Sequence, residues 1–135
     1  MKPGDVVAYN RYGHHRAVVL AVSEDGFVII ASTSVARDED HVAALPRSPG
    51  ARSLGWSEHD TRTSYFYPSG VRAVLVAEVE AVCWPPRADG TTGPTRRCEG
   101  RLFLALRERV AQWLRTGLVT EASVLARMEP PRETE

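Results

Sequence analysis

The chain has 135 residues, 43% of them hydrophobic and 25% charged. That composition excludes a disordered protein and fits one domain able to bury a core without disulfides or metal. Seventeen Lys and Arg balance seventeen Asp and Glu, so any basic surface for nucleic acid has to be local. No run of about eighteen apolar residues exists and no apolar stretch follows Met1-Lys2-Pro3-Gly4-Asp5, so neither a membrane-spanning helix nor a secretory signal is expected and the cytoplasm is the expected location.

A first short strand is predicted over residues 5–9, with Pro3-Gly4 punctuating its start. Residues 10–13 turn, and the nearly continuous apolar run over 16–22 predicts a strand buried on both sides. Ser23-Glu24-Asp25-Gly26 is a compact turn with glycine where a positive φ is expected, leading into a strand over 27–32. Together these predict an antiparallel hairpin at the centre of a sheet. Asp38-Glu39-Asp40 reads as a solvated loop tip, residues 41–46 as a short edge strand stopped by Pro46, and residues 48–55 as loop. Strand character returns over 64–67, breaks at Pro68-Ser69-Gly70 and resumes over 71–84. There Val71, Ala73, Leu75, Ala77 and Val79 share one face, and Arg72, Val74, Val76, Glu78 and Glu80 the other. This pattern predicts one long half-exposed strand, or two strands broken by a bulge.

Residues 85–100 form a Pro/Gly/Thr-rich connector carrying Arg87, Arg96 and Arg97. The period then changes. Leu102, Phe103, Leu106, Val110, Trp113 and Leu114 fall at helical spacing, with Gly117 where a C-cap belongs. Thr120 is placed to N-cap a second, shorter helix reaching Met128, and residues 129–135 have the composition of a disordered tail. The expected fold is mainly β with α: a small, bent antiparallel sheet or SH3-like barrel in one domain over residues 1–128. It carries a C-terminal amphipathic helix and a short second helix.

His14-His15-Arg16 place two imidazoles and a guanidinium at a hairpin mouth. Proton carriers that work near neutral pH beside a fixed cation suit a phosphate-handling site, although an ordinary surface turn has the same look. Tyr65 and Tyr67 offer stacking faces for unpaired bases, each worth about 1–3 kcal/mol, or else simply pack opposite a buried Phe66. Trp56 and Trp84 are either core plugs or binding surface. Arg96-Arg97 either touch phosphate or solvate the connector. Cys83 and Cys98 form no C-x-x-C pair and lack the paired spacings of a zinc site, so neither metal nor cofactor is expected. Cys83, within an apolar run, is expected to act as a small core residue.

Several short segments carry a family resemblance. Pro3-Gly4-Asp5-Val6-Val7, His15-Arg16-Ala17-Val18-Val19-Leu20, Ile29-Ile30-Ala31-Ser32-Thr33-Ser34 and His41-Val42 with Leu45-Pro46 follow one another in order. Ser64-Tyr65-Phe66-Tyr67, then Val71-Arg72-Ala73-Val74, then Cys98-Glu99-Gly100-Arg101-Leu102 complete the set. In this order they resemble the MazF/PemK/Kid family of toxin endoribonucleases, with Ala17 standing where that family usually has proline. The resemblance implies an SH3-like barrel acting as a homodimer, restrained by an antitoxin protein, that cleaves single-stranded RNA without metal.

By the same resemblance Arg16 and Thr33 are the catalytic positions, with Ser34 the competing assignment one residue on. Attack of a ribose 2′-OH on the adjacent phosphate concentrates charge on the phosphoryl oxygens, which a fixed guanidinium can clamp. His15 or His14, by their place beside Arg16 rather than by the resemblance, would move the proton, and Ser34, Tyr65, Tyr67 and Arg72 would hold substrate. The positions aligned with a second Arg and an Asp used by some members fall near Tyr67 and Ser69, which supply neither charge. The alternative is a non-catalytic SH3-like module, or a degenerate toxin fold, that binds a protein or nucleic-acid partner. Convergence of Arg16 and Thr33 in one pocket favours the nuclease. A salt bridge from Arg16 to Glu78 or Glu80 favours the module.

Overall fold

Apolar alternation along several short runs, followed by one helical period, dictates a sheet covered by a helix. The computed structural model has that arrangement and describes residues 1–9, 15–83, 89 and 94–128. The strands are β1 (Val6–Tyr9), β2 (His15–Val22), β3 (Phe27–Ser34), β4 (Val42–Ala44), β5 (Ser64–Leu75) and β6 (Val79–Ala81). The helices are α1 (Pro49–Ser53), α2 (Gly100–Arg115) and α3 (Ala122–Leu125). The strands lie in the order β4-β5-β3-β2-β1-β6, every pair antiparallel. The mainly β fold with an amphipathic helix and a short second one is as expected. So is the central hairpin: β2 and β3 are the middle strands, and Gly26 turns between them at a φ of 87°. His14, Trp84, Arg87 and the 129–135 tail lie outside the described residues.

Successive strand residues point to opposite faces, which divides the sheet in two. Val6, Val18, Ile29, Ala31 and Phe66 face α2, whose Leu102, Leu106, Val110 and Trp113 pack against them. Val7, Tyr9, Ala17, Val19, Val28, Ile30 and Val74 form a second buried cluster on the other face. Each such burial stabilises by about 1.5–3 kcal/mol, so the unbroken apolar run of β2 is accounted for on both sides. At the start of α2 the Glu99 carboxylate accepts the backbone N–H groups of Arg101 and Leu102 at 3.0 and 2.9 Å. Those two bonds hold its carboxyl below the usual carboxylate range. Near the other end Trp113 Nε1 donates to Asp40 at 2.6 Å, and Arg109 donates to the same carboxylate at 2.8 Å and to the His41 carbonyl at 3.1 Å. The Trp113 bond, with Arg109 beside it, lowers the Asp40 pKa. The acidic run is therefore tied to α2 rather than merely solvated.

Five expectations are corrected. Residues 48–55 contain α1: Ser48 accepts the Ala51 N–H at 3.1 Å and Pro49 opens the first turn, so residues that read as loop punctuation start a helix. Pro68-Ser69-Gly70 do not break the strand. Pairing shifts from Ala31↔Val71 to Thr33↔Phe66, leaving residues 67–70 of β5 bulged opposite Ser32. A Cβ on Gly70 would lie 2.9 Å from the Ser32 carbonyl oxygen, which is why glycine stands there. Of the two readings for residues 71–84, one long strand fails: there are two, β5 ending at Leu75 and β6 paired with β1, separated by a 3-10 turn over Val76–Glu78 rather than a bulge. Cys83 is half-buried at an isolated bridge to Thr95, outside the core clusters. The second helix is also shorter than expected, beginning after Glu121 rather than at a Thr120 cap.

Candidate active site

Where β1, β2, β3 and β5 meet at one end of the sheet, the second face turns polar. Tyr9, His15, Ser32, Ser34 and Arg72 continue the alternation of Val7, Ala17, Ile30 and Val74. With Thr33, Tyr67, Ser69, Gly70 and Arg37 from the loop after β3, they line a cleft of about 210 Å³. The β5 bulge brings Tyr67 and Ser69 to its rim.

His15 Nδ1 lies 2.9 Å from the Thr33 carbonyl oxygen. A carbonyl only accepts, so Nδ1 carries the hydrogen, and in the neutral ring Nε2 keeps its lone pair for another proton. Arg37 is held by several partners. Its Nη2 donates to Ser34 Oγ at 3.0 Å and its Nη1 to Ser69 Oγ at 3.5 Å, while its guanidinium stands 5.5 Å from the Tyr67 ring centroid. The exposed Glu39 carboxylate, 3.7 Å away, offsets little of its charge. Tyr67 is buried; its hydroxyl donates to the Val35 carbonyl at 2.9 Å and accepts the Arg37 N–H. Tyr9 is only 3% exposed, and its hydroxyl has no hydrogen-bond partner among the described residues. A buried hydroxyl without a partner is costly, and this one lines a cleft rich in cations.

The structure brings together His15, Thr33, Ser34, Tyr67 and Arg72 of the sequence-derived candidates. Arg16 is not in this cleft; the register Ala17↔Ser32 places it opposite Thr33, and the two side chains share the other face. Arg16 follows His15 in an extended strand and so projects to the opposite face. Its guanidinium lies 5.2 Å from the Trp56 ring centroid, and its Nε is buried without an acceptor among the described residues. Burial, and then the nearby Arg96 charge, lowers its pKa. Neither Glu78 nor Glu80 forms an ion pair with it among the described residues. Thr33 is buried and offers the cleft its carbonyl through His15. Tyr65 stacks on Tyr67 at 6.0 Å with His41 edge-on, just outside the cleft. Arg37 and Tyr9 are the residues that sequence reasoning missed. Alternation alone places Tyr9 beside His15, since the two are cross-strand partners.

Among the described residues no group of three or more His, Cys, Asp or Glu could hold a metal ion, and no helix is long and apolar enough to cross a membrane. No protein-family profile and no curated protein matches the chain. Among solved structures the chain is similar to a chain of the MazE–MazF complex from Deinococcus radiodurans. The TM-score is 0.51 and the identity 13%, over 84% of this chain and 94% of that one. At that identity the likeness is one of fold.

Proposed function

We propose that this chain is a toxin-type endoribonuclease that cleaves single-stranded RNA by attack of a ribose 2′-OH on the neighbouring phosphate. The observation that carries the reading is His15: fixed through Nδ1, with Nε2 available, in a cleft with Arg37, Arg72 and the Tyr9 hydroxyl, which has no partner among the described residues. Nε2 takes the 2′-OH proton as O2′ bonds to phosphorus. The P–O5′ bond breaks to leave a 2′,3′-cyclic phosphate, and a proton from the imidazolium of His15 or from His14 ends on O5′. Arg37 and Arg72 stabilise the charge that builds on the phosphoryl oxygens, and Tyr9 Oη donates to one of them. The route calls for no metal.

The fold likeness to a chain of a MazE–MazF complex supports one further part of the proposal, an antitoxin partner; a homodimer and action in the cytoplasm are proposed from the sequence resemblance and composition. Incubation of the purified protein with single-stranded RNA in EDTA tests the enzyme claim. Cleavage should persist in chelator and be lost in His15→Ala and Arg72→Ala, and absence of cleavage by folded protein refutes the claim. A non-catalytic binding module is the second reading, favoured by one observation: Arg16, which the resemblance makes catalytic, lies against Trp56 with its Nε buried, outside the His15 cleft. Retained RNA cleavage in Arg16→Ala agrees with a reacting centre at His15; its loss returns catalysis to Arg16.

A further inference from the structure

On the face opposite the His15 cleft, a groove of about 740 Å³ runs beside α1 and Trp56. Its cations are Arg47, Arg52, Arg96 and Arg97, and Arg16 stands at its inner end near Gly55. Arg97 is neutralised by Asp5 at 2.6 Å. Of the acids in the groove, Glu99 caps α2, while Glu58 is a largely exposed side chain with His59 at 3.5 Å, so the four arginines outnumber the carboxylates. Arg47 and Arg52 are exposed and have no carboxylate partner among the described residues. Arg96 donates to the Arg52 carbonyl at 3.3 Å, which holds these two segments together. Like charges gathered this way around an indole, with the Arg16 Nε–H buried and without an acceptor among the described residues, leave a place that an anion would fill. A smaller cleft shared by His15, Thr33, Trp56 and Arg62 joins the two faces around the strand ends.

We propose that this groove binds the phosphate backbone of single-stranded RNA flanking the segment held at His15. The strand would pass over Trp56 between the two faces. The inference rests on the nuclease reading for the polymer but not for the cutting. Trp56 is already flanked by guanidiniums, Arg16 at 5.2 Å and Arg62 at 4.7 Å. A planar platform of this kind favours nucleobases over an acidic peptide.

The test measures anisotropy of labelled 2′-O-methyl oligonucleotides, which cannot be cleaved through the 2′ oxygen. The full chain is compared with a double variant, Arg47→Asn with Arg52→Gln. Asparagine suits residue 47, whose φ is 64°. Equal melting temperatures show that both proteins are folded. For a nonamer the double variant should bind about tenfold or more weakly at low salt. Its salt slope should fall by about 1.4, roughly 0.7 for each phosphate that the variant no longer neutralises. Binding of a trimer should stay unchanged. Unchanged nonamer affinity and slope overturn the proposal, as does displacement of the nonamer by polyglutamate at equal charge concentration. If wild type cuts no RNA yet the nonamer retains this arginine dependence, the nuclease reading fails and the groove stands.

Discussion

Tyr9→Phe separates function from stability with one atom. Tyr9 is 3% exposed and its Oη has no partner among the described residues, so in the free protein the hydroxyl carries a desolvation cost with no return. That cost is about 1–3 kcal/mol. Unfolding entropy for a chain of this length is about 0.28 kcal/mol per degree, so removing the oxygen should raise Tm by roughly 4–11 °C. In the proposed reaction the same hydroxyl donates to a phosphoryl oxygen. A hydrogen bond to a charged group is worth about 1.5–3 kcal/mol, so kcat/KM for RNA should fall roughly 10- to 150-fold. Thermal unfolding followed by circular dichroism and cleavage of a fluorogenic RNA read the two arms. A fall in Tm would mean that the hydroxyl is already bonded in the free protein. A rise in Tm with kcat/KM unchanged would remove the cleft from the reaction.

Leu106 is fully buried under the sheet, and Leu106→Ala should cost about 2–5 kcal/mol, read as a lower midpoint in urea; a loss under 1 kcal/mol, about the cost of a surface change, would contradict the packing. Gly70→Ala forces a Cβ to 2.9 Å from a backbone oxygen, so it should lower both Tm and RNA cleavage, and wild-type values would show that the bulge yields freely. Arg127 donates to Asp25 at 2.9 and 3.1 Å and, with Ser23, holds that carboxyl down to about 2. The folded pKa lies below the unfolded value of about 3.9, so the unfolded chain binds more protons between the two. The stabilisation is complete above about pH 4 and is lost as pH falls toward 2; Asp25→Asn should flatten that part of the acid-unfolding curve, and an unaltered curve counts against the pair. Burial, then the Glu99 charge, pushes the Cys98 thiol up to about 12. At pH 8 a disulfide reagent should titrate Cys83 in the native protein and Cys98 only in denaturant, so two fast thiols in native protein would refute the burial.

The central hairpin and α2 were legible because each depends on a single local signal, Gly26 between two apolar runs and a helical period in α2. α1 was not, because serine and proline mark loops and helix starts alike, and only the Ala51 N–H bonded to Ser48 tells them apart. β5 hid its continuity behind Pro68, since a bulge and a break share the same residues. For the site, His14, His15 and Arg16 looked like one cluster. Sequence neighbours in a strand face opposite ways, so the run that places His15 in one cleft sends Arg16 to Trp56. Arg37 lay beside an acidic run that read as plain solvation, and nothing local marks a loop arginine that two serines and a tyrosine will hold.

The loop after β3 is fastened at both ends. Tyr67 holds Val35 and Arg37 at the cleft, while Trp113 and Arg109 hold Asp40 and His41 on the far side of the loop. A guanidinium on a slack loop would lose backbone freedom of about 1–2 kcal/mol per residue when a ligand ordered it. Here folding has already met that cost. An anion arriving at Arg37 finds its partner in place, so its binding entropy should reflect released water and counterions more than a chain brought to rest.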